Sequence, residues 1–372
     1  MTVIAADVTA PQRISRLLTI LSGAGGVAFL LGLLITPNLV WPNLLLMCFY
    51  MFGLGLGATL FLALTRLMGA QWCRAIQIVP ESMAKTIPLV APLLGVVVIM
   101  GAIQRPLAES AVLHGESFWF KSAWLSTGFF AGRTVFYLVV FSLLSLGLAS
   151  CSRRSRETTS PLFGRLSALF MVVFAIVFSA ASVDWIQALD PDWFSTMWGV
   201  YQFSGVFVTG LATITLLAIL LEQAGPLQGI LTKKHLHTLG ILLFSFSSFW
   251  MYIWLCQYML IWYANISEET FYFFDRSHGL WGPLFIANLF LNWLIPFLVL
   301  LPRPAKQSAS VLWKVAVVIL VGRWLDLYIA IIPARDAGFP LFGFCEVGGI
   351  LGTIGLFGLL MLHVLRKDSI LA

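Results

Sequence analysis

The stretch VWPNLLLMCFYMFGLGLGATLFLALTRLM, residues 40–68, decides the fold of this chain. It contains a single charged residue, Arg66, close to its C-terminal end. A helix rises about 1.5 Å per residue, so about 20 apolar residues cross the hydrocarbon core of a bilayer. The stretch is long enough to span a membrane. It must be helical, because an open strand would leave backbone polar groups unpaired in lipid.

Nine more stretches of this kind are spread along the 372 residues. Only 10% of the residues are charged and 60% are hydrophobic. In a soluble domain roughly a quarter of all residues are charged and cover its surface. We therefore predict an all-α polytopic membrane protein with about ten transmembrane helices. The predicted spans are 17–36, 40–68, 87–104, 128–150, 161–181, 197–222, 235–264, 280–301, 309–332 and 343–366.

The basic residues predict how these spans are oriented. Of the 22 Lys and Arg residues, sixteen fall on one side of the predicted membrane, together with both termini. Four lie on the opposite side: Arg105, Lys121, Arg276 and Arg335. The remaining two lie within spans. Since the basic side faces the cytoplasm, we expect both termini to be cytoplasmic. The net charge of +6 then reflects membrane insertion, and no nucleic acid partner is expected.

Two sets of four spans resemble each other. The matching segments, offset by 151 or 152 residues, are 53–57 with 205–210, 85–87 with 237–239, and 128–132 with 279–282. An even number of spans separates the copies, so both would have the same orientation in the membrane. We therefore predict two parallel four-helix bundles plus two peripheral helices. The predicted divisions are 1–39 (peripheral), 40–181 (first bundle), 182–332 (second bundle) and 333–372 (peripheral and tail).

Four charged residues lie within spans and away from the cytoplasmic face: Arg133, Arg323, Asp326 and Glu346. A charge at bilayer depth costs at least about 2.5–3.5 kcal/mol, so each calls for an explanation. Arg323 and Asp326 are three apart and share one helix face. With Asp184, just past span five, these groups would form one buried cluster that binds a quinol head group or conducts protons. The alternative is an ion pair that only locks helix packing.

Other polar residues are predicted to have structural roles. Glu81 and Lys85 are four apart and are expected to pair on a short surface helix. Asn288 and Asn292 share a face of span eight and are expected to form hydrogen bonds between helices. Asp190 precedes a proline, a pattern that predicts the N-cap of span six.

The cysteines and histidines argue against a metal or haem site in this chain. The five cysteines are dispersed and contain no C-x-x-C spacing, and no histidine lies near the centre of a span. Iron-sulfur, zinc and haem ligands need such spacing or depth. We therefore expect no cofactor to be bound by this chain.

Two segments resemble the NrfD-like family of membrane subunits. The first is Asp184-Trp185 followed by LDPDWFSTM at 189–197, and the second runs from HLHTLG at 235–240 through QYMLIWYANISEET at 257–270. Both are similar to the smaller NrfD-like subunit of alternative complex III, a bacterial quinol:electron acceptor (cytochrome c) oxidoreductase. The resemblance covers nearly all of the chain.

This resemblance implies a subunit of the bacterial inner membrane beside a second NrfD-like subunit, an iron-sulfur subunit and c-type cytochromes. Haem and iron-sulfur clusters would belong to those partners, while this chain would help to form a quinol site, a proton path, or both. The positions that match the family are Asp184 in the first segment and His237 at the start of span seven. The residues alone leave two other functions open: a transporter or proton channel, and a purely structural scaffold.

Overall fold

A computed structural model describes residues 9–104, 123–155, 161–190, 193–334 and 343–368 of the chain. These residues form helices joined by short turns, and no β-strand occurs among them. Nine helices within these ranges are long and apolar enough to cross a membrane. The chain is thus an all-α, multi-pass membrane protein, as its hydropathy predicts.

Twelve helices are labelled in chain order. They are α1 (Thr9–Ile35), α2 (Pro37–Leu67), α3 (Ile78–Ala84), α4 (Ile87–Gln104), α5 (Thr127–Arg154), α6 (Pro161–Leu189), α7 (Trp198–Gln223), α8 (Lys233–Ala264), α9 (Ser267–Ser277), α10 (Gly279–Leu300), α11 (Ala309–Ile331) and α12 (Phe344–Lys367). Short helical turns lie at Trp72–Ala75 and Arg303–Lys306, and π-helical turns interrupt α6 at Phe174–Phe178 and α10 at Phe290–Leu294.

Each predicted span coincides with one of these helices. The third, 87–104, matches α4 residue for residue. The tenth membrane-length helix is α11, whose 23 residues exceed the about 20 that a bilayer requires. It differs from the other nine because its three charged residues, Lys314, Arg323 and Asp326, all lie in its central part rather than near its ends.

The membrane helices pack as two groups of four. α2 packs against α4, α5 and α6, while α7 packs against α8 and α11, with α10 filling the space between α8 and α11. The two groups meet where α2 packs against α7, and these two helices are the most completely buried of the membrane-spanning set. This arrangement agrees with the predicted architecture of two four-helix bundles.

Glycines allow α2 and α7 to touch through their backbones. A Cβ on Gly57 would lie 2.4 Å from the carbonyl oxygen of Val206 and 3.0 Å from the Cα of Gly210. Any larger side chain at this crossing would force the helices apart, and small residues are the usual solution between membrane helices. The glycines of the two matching segments therefore join the two groups.

The first and last helices lie outside these groups. α1 and α12 run antiparallel and are in close contact, since a Cβ on Gly25 would lie 2.7 Å from the Cα of Gly352 and one on Gly355 would lie 2.3 Å from the backbone nitrogen of Ser22. α12 also packs against α2, which attaches the pair to the first group. Four of the basic residues used to orient the spans lie outside the described residues, as do residues 191 and 192; the four are Arg105, Lys121, Arg156 and Arg335.

Candidate functional site

The carboxylate of Asp326 in α11 is the centre of a buried polar site. Its Oδ2 accepts a hydrogen bond from Arg323 Nη1 at 2.6 Å, and its Oδ1 accepts one from Asn288 Nδ2 at 2.8 Å and another from the hydroxyl of Tyr201. Asp326 and Arg323 are each only 2% exposed. Helices α7, α10 and α11 thus close around one carboxylate, and the predicted Arg323–Asp326 ion pair is present.

The guanidinium of Arg323 rests against the backbone of α7. A Cβ on Gly205 would lie 1.8 Å from Nη2 and 2.3 Å from Cζ, so only glycine leaves room for the charged group. On the α8 side, Cζ lies 5.6 Å from the ring centroid of Trp250, within the range of a cation–π interaction. Gly205 therefore accommodates a charge, a role different from that of Gly210.

Hydrogen bonds continue from Asp326 towards the middle of the helices. Oδ1 of Asn288 accepts a hydrogen bond from Asn292 Nδ2 at 2.6 Å, one turn further along α10. Asn292 lies in the π-helical turn, and its carbonyl oxygen accepts a hydrogen bond from the hydroxyl of Ser247 in α8. Such turns free a backbone carbonyl and are frequent at functional sites. As predicted, Asn288 forms a hydrogen bond between helices, whereas the amide of Asn292 donates within α10.

A cavity lies beside Asp326, with an empty volume of about 370 Å³ including its opening. Its polar lining comes from Tyr201, Gln257, Arg276, Asn288 and Asp326. The rest of the wall is largely aromatic and consists of Trp198, Trp254, Tyr272, Phe273 and Phe285. The carboxylate is therefore next to a space with both aromatic and hydrogen-bonding groups.

Arg276 of α9 closes one side of this cavity. It is only 3% exposed and donates hydrogen bonds to Asp190 Oδ2 at 2.7 Å and to the carbonyl oxygen of Ile329 at 3.0 Å. Its guanidinium also stacks on Tyr272, 3.7 Å from the ring centroid. Arg276 is thus a buried ion-pair partner. One expectation is corrected here: Asp190 does not cap span six, because α7 begins only at Trp198.

A second buried ion pair lies in the first group of helices. Arg133 of α5 donates to Asp184 of α6 through Nε and Nη2, both at 3.0 Å, in a forked arrangement. The carboxylate also accepts hydrogen bonds from Tyr137 and from the indole of Trp124, each at 3.0 Å. The Trp124 ring lies 3.8 Å from Cζ of Arg133. Two-point pairing of this kind fixes orientation as well as distance, so the site is rigid.

Glu346 is buried at the first turn of α12. Its Oε1 accepts a hydrogen bond from Asn43 Nδ2 at 2.8 Å, and its Oε2 accepts one from the backbone N–H of Gly343 at 2.9 Å. Within the described part of the chain it forms no ion pair. The partial positive charge of the helix N-terminus offsets part of the burial cost. Glu346 therefore caps α12 and attaches it to α2.

The three carboxylates do not form the single cluster predicted from their depth. Among the described residues, no hydrogen bond or ion pair joins Asp184, Asp326 and Glu346 to one another. Each lies in a different helix interface, and depth along a helix does not tell which neighbour a side chain faces. The structure also does not bring His237 to them. That histidine lies at the opposite end of the molecule, at the start of α8, where its Nδ1 is buried and has no hydrogen-bond partner among the described residues.

Tyrosine and asparagine side chains that the sequence analysis did not single out complete these sites. Tyr201 and Tyr137 each donate to a buried carboxylate, and Asn43 donates to Glu346. Their only signal in the sequence is a hydrogen-bonding group within an apolar span. Such groups are too common in membrane helices to identify a site without the partner helix.

At the other end of the molecule the predicted pair of Glu81 and Lys85 is absent. Glu81 is buried and accepts a hydrogen bond from Ser152 at 2.5 Å, while Lys85 pairs with Asp368 at 2.5 Å. Arg153 also contacts Asp368, at 2.7 Å. Burial alone raises the pKa of Asp368, but the hydrogen bonds and charges of Lys85 and Arg153 outweigh it and bring this pKa below its usual value.

A buried carboxylate surrounded by neutral hydrogen-bond donors and one arginine can act as a proton acceptor. The arginine stays charged at all accessible pH values. At Asp326 the protonated form would still be hydrogen-bonded by Tyr201 and Asn288. Asp184 lines a smaller space, with about 230 Å³ of empty volume.

Fold and polar sites together define a multi-pass α-helical membrane protein with ion pairs buried inside both groups of helices. No protein-family model matches the chain, and none of the curated proteins matches it either.

Proposed function

We propose that this chain is an NrfD-like membrane subunit of a respiratory quinol:electron acceptor oxidoreductase in the bacterial inner membrane. Its role there is to carry protons through the second group of helices. The observation that carries the proposal is the buried Asp326, with a cavity beside it and hydrogen bonds leading away from it. The sequence resemblance at 184–197 and 235–270 supports the choice of complex.

The proposed path leads from the cavity to Asp326. Asn288, Asn292 and Ser247 would line its continuation towards the middle of the helices and hydrogen-bond the water that carries the proton, because an amide does not itself pass on a proton. Oxidation of a quinol releases two protons with two electrons, so a complex of this class needs a proton acceptor in or beside its membrane part. In this proposal Asp326, the carboxylate beside the cavity, is that acceptor.

The electrons follow another route in this proposal. They pass through an iron-sulfur subunit and c-type cytochromes, and a second NrfD-like subunit lies alongside in the membrane. The cavity as it stands has room for about one water molecule, so contact with a quinol ring would require its aromatic wall of Trp254, Phe273 and Phe285 to open.

Purification in mild detergent tests the choice of complex. We expect haem-containing and iron-sulfur subunits to copurify with the chain, and a stable lone protein would contradict the proposal. A transporter or channel would instead move solutes or protons in vesicles that contain only this chain.

Proton release by the reconstituted complex tests the path. Asp326→Asn should lower proton release and quinol oxidation at least about tenfold, a typical effect of losing a positioned proton acceptor. Asp326→Glu should restore part of the activity. If both variants assemble and work like the wild type, Asp326 is only a packing residue.

A further inference from the structure

Three buried polar groups around Arg323 have no hydrogen-bond partner within the part of the chain that the structure describes. They are both amide atoms of Gln202, the Nε of Arg323 and the indole Nε1 of Trp250. Gln202 and Trp250 are fully buried. Leaving such a group unsatisfied is destabilising, so three together are unusual in a folded protein.

These groups converge on the junction of the two groups of helices. Gln202 is three residues before Gly205, and the guanidinium of Arg323 rests against that glycine. Residues three or four apart share a helix face. Gln202 also shares a face with Val206, which contacts Gly53 and Gly57 of α2. Gln202 therefore lies where α7 faces both α11 and α2, about one helical turn from the guanidinium.

The chemistry of the three groups matches water. Together they offer donors on Gln202, Arg323 and Trp250 and one acceptor on Gln202, and a water molecule can both donate and accept. Buried waters typically make about three hydrogen bonds to polar groups that lack other partners, while purely apolar cavities stay dry. We propose an internal water-binding site between the two groups of helices, held by Gln202, Arg323 and Trp250.

This site has a consequence that rests on the proposed function. When Asp326 takes up a proton from the cavity side, its negative charge disappears while Arg323 keeps its positive charge. The guanidinium contacts Asp326 through Nη1, so water at Nε solvates it independently of that contact. The water site would then allow the ion pair to open without leaving a dry buried charge.

Radiolytic labelling with ¹⁸O-water tests the site in the chain reconstituted into nanodiscs. Bound water labels adjacent side chains, so we expect ¹⁸O incorporation into the buried ring of Trp250. Gln202→Met, which keeps the length of the side chain and removes the amide, should lower that labelling at least about threefold, since it removes one of about three ligands of the water. The control is Thr213→Val on the same helix, whose hydroxyl already bonds to the carbonyl oxygen of Thr209 at 2.9 Å.

Two results would overturn the inference: Trp250 labelling that is equal in the wild type and in Gln202→Met, or a Trp250 that stays unlabelled in the wild type. If Gln202→Met does not fold, a water density within hydrogen-bond distance of Gln202 and Arg323 Nε, sought by high-resolution electron cryomicroscopy of the wild type, decides the question. None of these measurements depends on quinol or on partner subunits. If no water is found at this site but the complex still releases protons, only the water-site inference is rejected. If water is found there but the chain has no respiratory partner subunits, only the proposed function is rejected.

Discussion

The guanidinium of Arg323 packs directly against the α carbon of Gly205, so tightly that a Cβ at position 205 would lie 1.8 Å from Nη2. The two residues come from different helices, α11 and α7. A glycine in one helix thus determines where the counter-charge of Asp326 can lie. The buried ion pair depends on this contact as much as on the i, i+3 spacing of its own two residues.

Gly205→Ala should displace Arg323 and destabilise the protein by about 1–3 kcal/mol, the usual cost of forcing extra atoms into a packed interior. The measurement is the free energy of unfolding in mixed micelles. Gly132→Ala is the matched control, because a Cβ there meets nothing within 4 Å. In the control, alanine should be neutral or slightly stabilising, since it favours the helix. Equal stability of both variants would show that Arg323 does not need the space at Gly205.

Removing one partner of the Arg323–Asp326 pair should cost more than removing both. Asp326→Asn leaves the buried guanidinium without a counter-charge, and such losses cost about 3–5 kcal/mol. The double variant Arg323→Met with Asp326→Leu should recover much of this stability, because an apolar pair can replace a buried ion pair. Proton release should stay low in the double variant. Recovery of both stability and proton release would mean that the pair has only a packing role.

Arg133→Lys should weaken the first-group site although the charge is kept. A lysine ammonium cannot make the two parallel bonds to Asp184 or stack on Trp124 as a planar guanidinium does. We expect a loss of about 1–3 kcal/mol, in the range of charge-assisted hydrogen bonds. Arg153→Lys is the control, since that side chain is 54% exposed. The prediction is wrong if thermal unfolding shows the two substitutions to be equally mild.

The contacts of Lys85 and Arg153 with Asp368 should make stability depend on acid pH. Because the folded pKa of Asp368 is lowered, its contribution is fully present above the unfolded value of about 3.9 and is lost as the pH falls through the folded value. A partly exposed pair of this kind contributes up to about 1 kcal/mol. Asp368→Asn should therefore lower the melting temperature at pH 7, and this difference from the wild type should shrink as the pH falls below about 3.9. A difference that stays constant as the pH falls would exclude the carboxylate charge as the cause.

Some features could be predicted from the sequence because they depend on neighbouring residues along one helix. Hydropathy predicted all ten membrane-length helices, and 87–104 coincides with α4 because its limits are set by local composition. The pair of Arg323 and Asp326 was predictable because the helical repeat alone brings the two side chains together. The capping role of Glu346 was missed, because its first-turn position is evident only once the start of α12 at Phe344 is known.

The sequence by itself determined that this chain is a bundle of membrane helices with a few costly charges inside the spans. Only the tertiary structure decided their partners: Arg133 with Asp184, Arg276 with Asp190, and Lys85 with Asp368. The tertiary structure also placed Asp184, Asp326 and Glu346 in three separate helix interfaces, although the sequence predicts a similar depth for all three. The physical reason is that hydropathy and helical periodicity act along one helix, whereas a contact between helices depends on how each is rotated about its axis and which helix lies beside it.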